Sequence, residues 1–149
     1  DTLAGALTFF KYAASKNVEV FYLSNRAEKE RVGTLENLKK FGFPNADNAH
    51  LILKTDISSK EGRRQKIAET YDVLLLIGDN LADFSSLFDK KTTTERTQNV
   101  QSIADEFGKK FIVLPNANYG DWEGALYHYD YKRTPAQKDS IMKSVLKNY

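Results

Sequence analysis

Two aspartates, Asp79 and Asp83, stand four residues apart just after an apolar run, Val73 to Ile77, and a glycine, Gly78. Close carboxylates repel one another unless they are well solvated or a cation lies between them. A hard divalent ion with oxygen ligands accounts for the pair, and Mg²⁺ commonly takes one or two carboxylates plus waters and phosphate oxygens. Gly78 frees the chain to turn off a strand. Alternatively, an Asp caps a short helix, "LADFSS", with Asp83 merely solvated. For a lone GDxxxD the cap is slightly favoured; after so apolar a strand, the metal is.

Three other groups are chemically suggestive. In "FYLSNR", Ser24, Asn25 and Arg26 put a hydroxyl, an amide and a guanidinium at a strand tip with a helix behind them. A helix N-terminus offers unpaired N–H groups to an anion, and an arginine can grip phosphate at two points. A capped helix whose arginine faces water is equally consistent with these residues. Lys60 opens the charged stretch "SSKEGRRQK", where a lysine could neutralise phosphate charge; taken alone, Lys60, Arg63, Arg64 and Lys66 read better as a solvated basic face. The segment "PNANYGDWEGALYHYDY" mixes Asn, Gly and aromatics after a strand and reads as a structured loop. Tyr119 and Trp122 could pack that loop or stack on a flat ligand, with packing preferred for Trp122. His50 and His128 have no partner at ligand spacing and read as structural or surface residues.

The elements that must position these residues alternate. A helix over "DTLAGALTFFKYAASK" precedes a strand in "VEVFYLS". A helix in "RAEKERVGTLENLKKFGF", with Gly42 as its stop, precedes the strand "HLILKT". The helix "SSKEGRRQKIAETY" leads to "DVLLLIG", apolar enough to be buried on both faces of a parallel sheet. "TTTERTQNVQSIADEFG", capped by Thr92 to Thr94, precedes the strand "KKFIVLP". A last helix in "RTPAQKDSIMKSVLKNY" has Pro135 in its first turn. Such alternation predicts an α/β fold with a parallel sheet and helices on both faces. Ligands then bind beyond the carboxyl ends of the strands, where both "SNR" and "GDNLADF" lie.

Composition narrows the function classes. The 149 residues fit one domain, residues 1–149, with 41% hydrophobic and 28% charged residues. A net charge of +2 gives no argument for a nucleic-acid partner. No apolar run approaches a membrane span. With no cysteine there is neither a disulfide scaffold nor a thiolate metal site, a composition that suits an exported protein. The opening residues lack an initiator methionine and read as a helix already under way, so the sequence is expected to be part of a longer chain.

Taken in order, "FYLSNR", Lys60 in "ISSKEGRR" and "LLLIGDNLADF" resemble the haloacid dehalogenase superfamily of phosphatases. "GALTFFKYAASKNVEVFYLSNR", "GDNLADF" and above all "LPNANYGDWEGALY" resemble the bacterial class C acid phosphatases, lipoprotein-type nonspecific acid phosphatases and 5′-nucleotidases. The resemblance runs from about Gly5 to Tyr131 and implies a Rossmann-like haloacid dehalogenase fold. It implies that Ser24 hydrogen-bonds the transferring phosphoryl group, with Asn25 and Arg26 beside it. Lys60 would hold phosphate and nucleophile together, Asp79 would bind Mg²⁺, and Asp83 would join it or orient its waters. Tyr119 would stack on a nucleobase or another flat leaving group.

That family's reaction runs through an aspartyl-phosphate formed by the first Asp of an Asp-x-Asp motif, the second Asp serving as acid. No such motif occurs in this sequence, so the nucleophile is expected upstream and the chain by itself is expected to be inactive. In that fold the nucleophile strand is central, between the strand carrying Ser24 and the strand ending in GDxxxD. A slot one strand wide, about 10 Å, is therefore expected between Val18–Leu23 and Val73–Ile77, rather than direct pairing. The resemblance further implies a small phosphomonoester or nucleotide as substrate and a bacterial cell-envelope or secreted location. It leaves room for a lipid anchor and a homodimer. Two other classes compete: a phosphate- or nucleotide-binding module of the same fold without activity, and a receiver-type signalling domain. The latter needs a phosphorylated Asp ahead of Ser24, and none fills that slot.

Overall fold

The computed structural model describes residues 2–145; Asp1 and the last residues of the expected C-terminal helix, 146–149, lie outside them. The elements run α1 (Ala6–Ser15), β1 (Tyr22–Ala27), α2 (Arg31–Lys40), β2 (Leu51–Lys54), α3 (Glu61–Ala68), β3 (Leu76–Gly78), α4 (Thr93–Ser102), β4 (Phe111–Val113), α5 (Asp121–Leu126) and α6 (Pro135–Val145). Every strand pairing is parallel, as the alternation predicts. The chain divides into two compact units, Asp1–Arg64 and Gln65–Tyr149.

In the first unit β1 pairs with β2, Tyr22 opposite Leu51 and Leu23 opposite Ile52. Helix α1 ends in a left-handed Asn17, with Val18 N–H donating to Ala13 O and Asn17 N–H to Ala14 O. These two hydrogen bonds satisfy orphan carbonyls at a helix end and aim the chain toward β1. The ladder begins at Tyr22, later than the expected Val18, because β2 gives 18–21 no partner; the Val20 N–H bonds instead to the Asn45 side chain, at 3.1 Å. Gly42, left-handed at φ 74°, closes α2 as the sequence indicates. The core is Leu35, Leu51 and Leu53, with Tyr22 and Leu38 packed against it. Leu51 and Leu53 are buried while Ile52 and Lys54 are less so, the period-two signature of a strand.

In the second unit β3 pairs with β4 in register, Leu76 with Phe111, Ile77 with Ile112 and Gly78 with Val113. Only three residues of the expected apolar strand join this ladder. Residues 73–75 lie outside it, and Leu74 is 64% exposed, so the expected burial on both faces does not hold there. Strands β1 and β3 belong to separate two-stranded sheets. Phe84 stacks on Phe111 at 5.2 Å between centroids, and Phe107 meets both edge-on. Helix α4 stops at Ser102, short of the expected 108; a 3₁₀ turn over Ala104–Glu106 follows, and Phe107 enters this ring cluster. Thr92 and Glu95 form the N-terminal capping box of α4, and Pro135 opens α6, both as expected.

Candidate active site

Ser24, Asn25 and Arg26 do not sit beyond the end of a strand, as the sequence suggests, but inside β1 where the ladder slips. From Leu23 to Ala27 the strand advances four residues while β2 advances two, Ile52 to Lys54. Such bulges re-aim side chains and are common beside active sites. The Ser24 hydroxyl accepts the Arg26 N–H at 3.2 Å. Accepting uses a lone pair and leaves the O–H proton for a ligand. Arg26 is exposed, with a long 3.4 Å contact from Nη1 to the Thr34 hydroxyl.

The helix-terminus part of the anion reading does not hold. The chain leaves β1 through a 3₁₀ turn, Glu28–Glu30, and Glu30 accepts the Ala27 N–H at 2.8 Å. Carboxylates already occupy this turn, so it is not an open cradle for an anion.

Arg63 organises the bulge, a role the basic-face reading missed. Its Nη1 donates to Ser24 O at 2.9 Å and its Nη2 to Asn25 Oδ1 at 2.6 Å. Nη2 also reaches the carbonyls of Ser58 and Ser59, at 3.3 and 3.2 Å. One guanidinium fork thus ties the Ser24 carbonyl and the Asn25 side chain to the two residues before Lys60. Burial, with the neighbouring Arg64 charge, pulls the Arg63 pKa below its usual value. Arg64 is buried and paired with Glu61 at 2.6 Å. Of the four basic residues, Lys66 alone is exposed; Lys60 is half-buried at the start of α3.

In the second unit Asp79 follows β3 and is exposed. Two amides fix its carboxylate: Asn80 Nδ2 donates to Oδ1 at 3.2 Å and Asn116 Nδ2 to Oδ2 at 2.8 Å. Asp83 does different work. Its Oδ2 accepts the backbone N–H groups of Asp79 and Asn80, at 3.2 and 3.1 Å, as the cap of a 3₁₀ turn over Leu81–Asp83. Asp83, which the capping alternative leaves merely solvated, is thus the residue that caps. Gly78 matters for closeness rather than for an unusual turn: a Cβ there would lie 2.5 Å from the Asp83 Cβ.

The segment after β4 folds over the same tip. Leu114 N–H donates to Gly78 O at 2.8 Å. Asn116 Oδ1 accepts the N–H groups of Asn118 and Tyr119, at 3.0 and 3.3 Å. Asn80 Oδ1 accepts the Asp121 N–H at 3.2 Å. That contact requires Gly120, whose φ is +145° and where a Cβ would stand 2.0 Å from Asn80 Oδ1. Tyr119 is 67% exposed. The expected structured loop is half helix, since Asp121–Leu126 forms α5, and Trp122 lies half-buried on it. Left-handed His128 and the bond from Tyr129 N–H to Gly124 O close α5.

The donor set suits a hard cation. An exposed carboxylate, held open at a strand tip, is the ligand type Mg²⁺ takes alongside waters and phosphate. No cluster of three or more His, Cys, Asp or Glu able to hold a metal occurs among the described residues; Asp79 is an exposed carboxylate at the tip of β3, and Asp83 caps the turn behind it.

A parallel α/β chain with a serine on a strand bulge and GDxxxD at a strand tip is that of a haloacid dehalogenase-type protein. The chain belongs to the HAD superfamily, subfamily IIIB (acid phosphatase), whose pattern it matches over residues 1–122. Its structure is similar to that of the class C acid phosphatase from Bacillus anthracis, with a TM-score of 0.94 and 43% identity. A second structure of that protein, with tungstate bound, matches at 0.94 and 42%. In both cases 99% of this chain is covered, and the chain spans 62% of the length of the protein it matches.

Proposed function

We propose that the protein is a Mg²⁺-dependent acid phosphatase that hydrolyses phosphomonoesters, nucleoside monophosphates among them, through an aspartyl-phosphate. The nucleophile and its partner acid, an Asp-x-Asp pair, are not among these 149 residues and are assigned to the protein outside them. The observation that carries the reading is the Asp79 carboxylate, exposed at the tip of β3 and oriented by two amides, in a chain of the acid phosphatase family. The tungstate bound to the similar Bacillus anthracis protein supports a site for tetrahedral oxyanions.

Phosphoryl transfer is catalysed chiefly by positioning and charge neutralisation. Ser24 donates its O–H to a phosphoryl oxygen, and Asn25 and Arg26 flank it. Lys60 offsets the phosphate charge. Mg²⁺, held by Asp79, would neutralise the charge that develops on the phosphoryl oxygens. Asp83 keeps the Asp79 backbone in place and so acts behind the metal ligand. Tyr119 presents its ring to a flat leaving group.

The test is Asp79→Asn in the whole protein. Mg²⁺-dependent hydrolysis of a simple aryl phosphate should fall by at least about a thousandfold, the loss of roughly 4 kcal/mol of transition-state stabilisation, while circular dichroism and Tm stay as in the parent. A variant that remains active and Mg²⁺-responsive overturns the assignment. The rival reading is a phosphate- or nucleotide-binding module of the same fold without turnover. Phosphate binding with no hydrolysis by the whole protein would establish it.

A further inference from the structure

We infer that Asn116 is a positioning residue that couples the candidate metal ligand Asp79 to the candidate leaving-group platform Tyr119. The inference rests on the metal reading of Asp79. Parallel pairing brings the two strand tips together, since Gly78 lies opposite Val113. Asp79 is the next residue on one side, and Asn116 follows shortly on the other. The Asn116 amide then faces both ways. Nδ2 donates to Asp79 Oδ2 at 2.8 Å, and Oδ1 accepts from the N–H groups of Asn118 and Tyr119, at 3.0 and 3.3 Å.

Only one orientation of the amide satisfies this set. Turned over, it would put its oxygen against a carboxylate oxygen and its NH₂ against two N–H groups. The same planar group therefore fixes which way the Asp79 carboxylate turns and where the backbone of Tyr119 sits. A shift of either arm strains the other. Glutamine carries the same amide on a longer stem and cannot close the tight turn onto its own backbone two and three residues on. An Ala keeps neither arm.

Serine separates the two arms. Its short hydroxyl can still accept the Asn118 N–H in a local turn, but it does not reach Asp79. Groups that orient a metal ligand typically cost tenfold to a hundredfold in metal affinity when removed. In the whole protein, Asn116→Ser should weaken Mn²⁺ binding, measured by calorimetry, by roughly tenfold or more. It should leave the KM ratio between a nucleoside monophosphate and a small alkyl phosphate near the parent value. Asn116→Ala should weaken Mn²⁺ binding to the same extent and also erode that ratio. Amide hydrogen exchange of the metal-free protein gives a reading independent of turnover: the Asn118 and Tyr119 amides should exchange faster in Asn116→Ala. Parent-like Mn²⁺ affinity in Asn116→Ser overturns the inference, as does parent-like exchange in Asn116→Ala. Asp79→Asn, measured alongside, keeps the two readings apart. If it too leaves Mn²⁺ affinity unchanged, the metal assignment of Asp79 has failed; if it abolishes binding while Asn116→Ser does not weaken it, the coupling alone has failed.

Discussion

Asp79 and Asp83 are chemically the same residue in one short motif, yet their neighbours give them different tasks. Asp83 spends Oδ2 on two backbone N–H groups, and Asp79 is held by side-chain amides with its carboxylate exposed. Spacing alone cannot separate these tasks, because both carboxylates are four residues apart in either reading; the hydrogen bonds do. Tyr119 is the other residue whose surroundings decide its role. Its backbone is held by Asn116 while the residue is 67% exposed, so the side chain contributes little to the fold. Tyr119→Ala should therefore raise KM for aryl and nucleotide substrates by about tenfold, in line with stacking worth 1–3 kcal/mol per base. KM for small alkyl phosphates should hardly change, because phosphate binding does not use the ring. Steady-state kinetics on both substrate types check this, and an equal loss for the two would make Tyr119 a support of the loop.

At the scale of elements, the strand carrying Ser24 is shaped by a guanidinium and a histidine that lie outside it. Arg63 is on α3, and its fork is the tie that holds the β1 bulge to the residues before Lys60. Arg63→Ala should lower kcat/KM by about tenfold, since charged hydrogen bonds of this kind are worth roughly 1.5–3 kcal/mol. The loss should be the same for nucleotide and alkyl substrates, because the bulge serves the phosphate and not the leaving group; a substrate-dependent loss would contradict that role. The start of the β1–β2 ladder is held differently. Tyr22 N–H donates to His50 O at 2.8 Å. The His50 ring meets Asp47 through Nδ1 at 2.8 Å and Glu19 through Nε2 at 2.6 Å. Asn45 Nδ2 also reaches Glu19, and the Phe21 ring lies 4.9 Å from the imidazole. Donation to two carboxylates requires the imidazolium. Burial lowers the His50 pKa, but the bonds to Asp47 and Glu19 outweigh it and leave it above 6.5. The bond to His50 holds Asp47 below 3.8. The His50 contribution is thus complete below pH 6.5 and is lost as pH rises through its folded value. The Asp47 contribution is present above 3.8 and is lost as pH falls through its depressed value. The cluster is strongest on the acid side of neutrality. His50→Gln should lower Tm by roughly 4 °C at pH 5.5 and by clearly less at pH 8.5, read by thermal melts at both; equal shifts would show that the imidazolium is not formed.

For the whole molecule, what could be read in the sequence divides by distance along the chain. Gly42, the Thr92 cap and Pro135 act within a turn of themselves, and each stands where local rules put it. The helix–strand alternation foretold parallel pairing for the same reason. The bulge at Ser24 was not legible, because register depends on the partner strand. Asn116 was not legible either, because its acceptor is 37 residues away. Gly78 reads as a turn residue in the sequence, yet it and Gly120 are both required by a side chain that crosses over them. The cores show the same division. Among the described residues each sheet has two strands, a size that is marginal by itself, so apolar packing must carry the stability of each unit. Phe88 is fully buried in the second unit, on the 3₁₀ turn Ser86–Phe88, and its carbonyl lies 3.5 Å from Nη1 of buried Arg96. Phe88→Ala should cost about 3–5 kcal/mol, a large share of the 5–15 kcal/mol that holds an ordinary domain folded. The urea midpoint should fall accordingly, with the slope unchanged. At a temperature where the variant is still folded, its KM for phosphomonoesters should match the parent, because Phe88 touches none of the groups around Asp79 by hydrogen bond. A raised KM in the folded variant would show that the packing of Phe88 sets the site geometry as well as the stability.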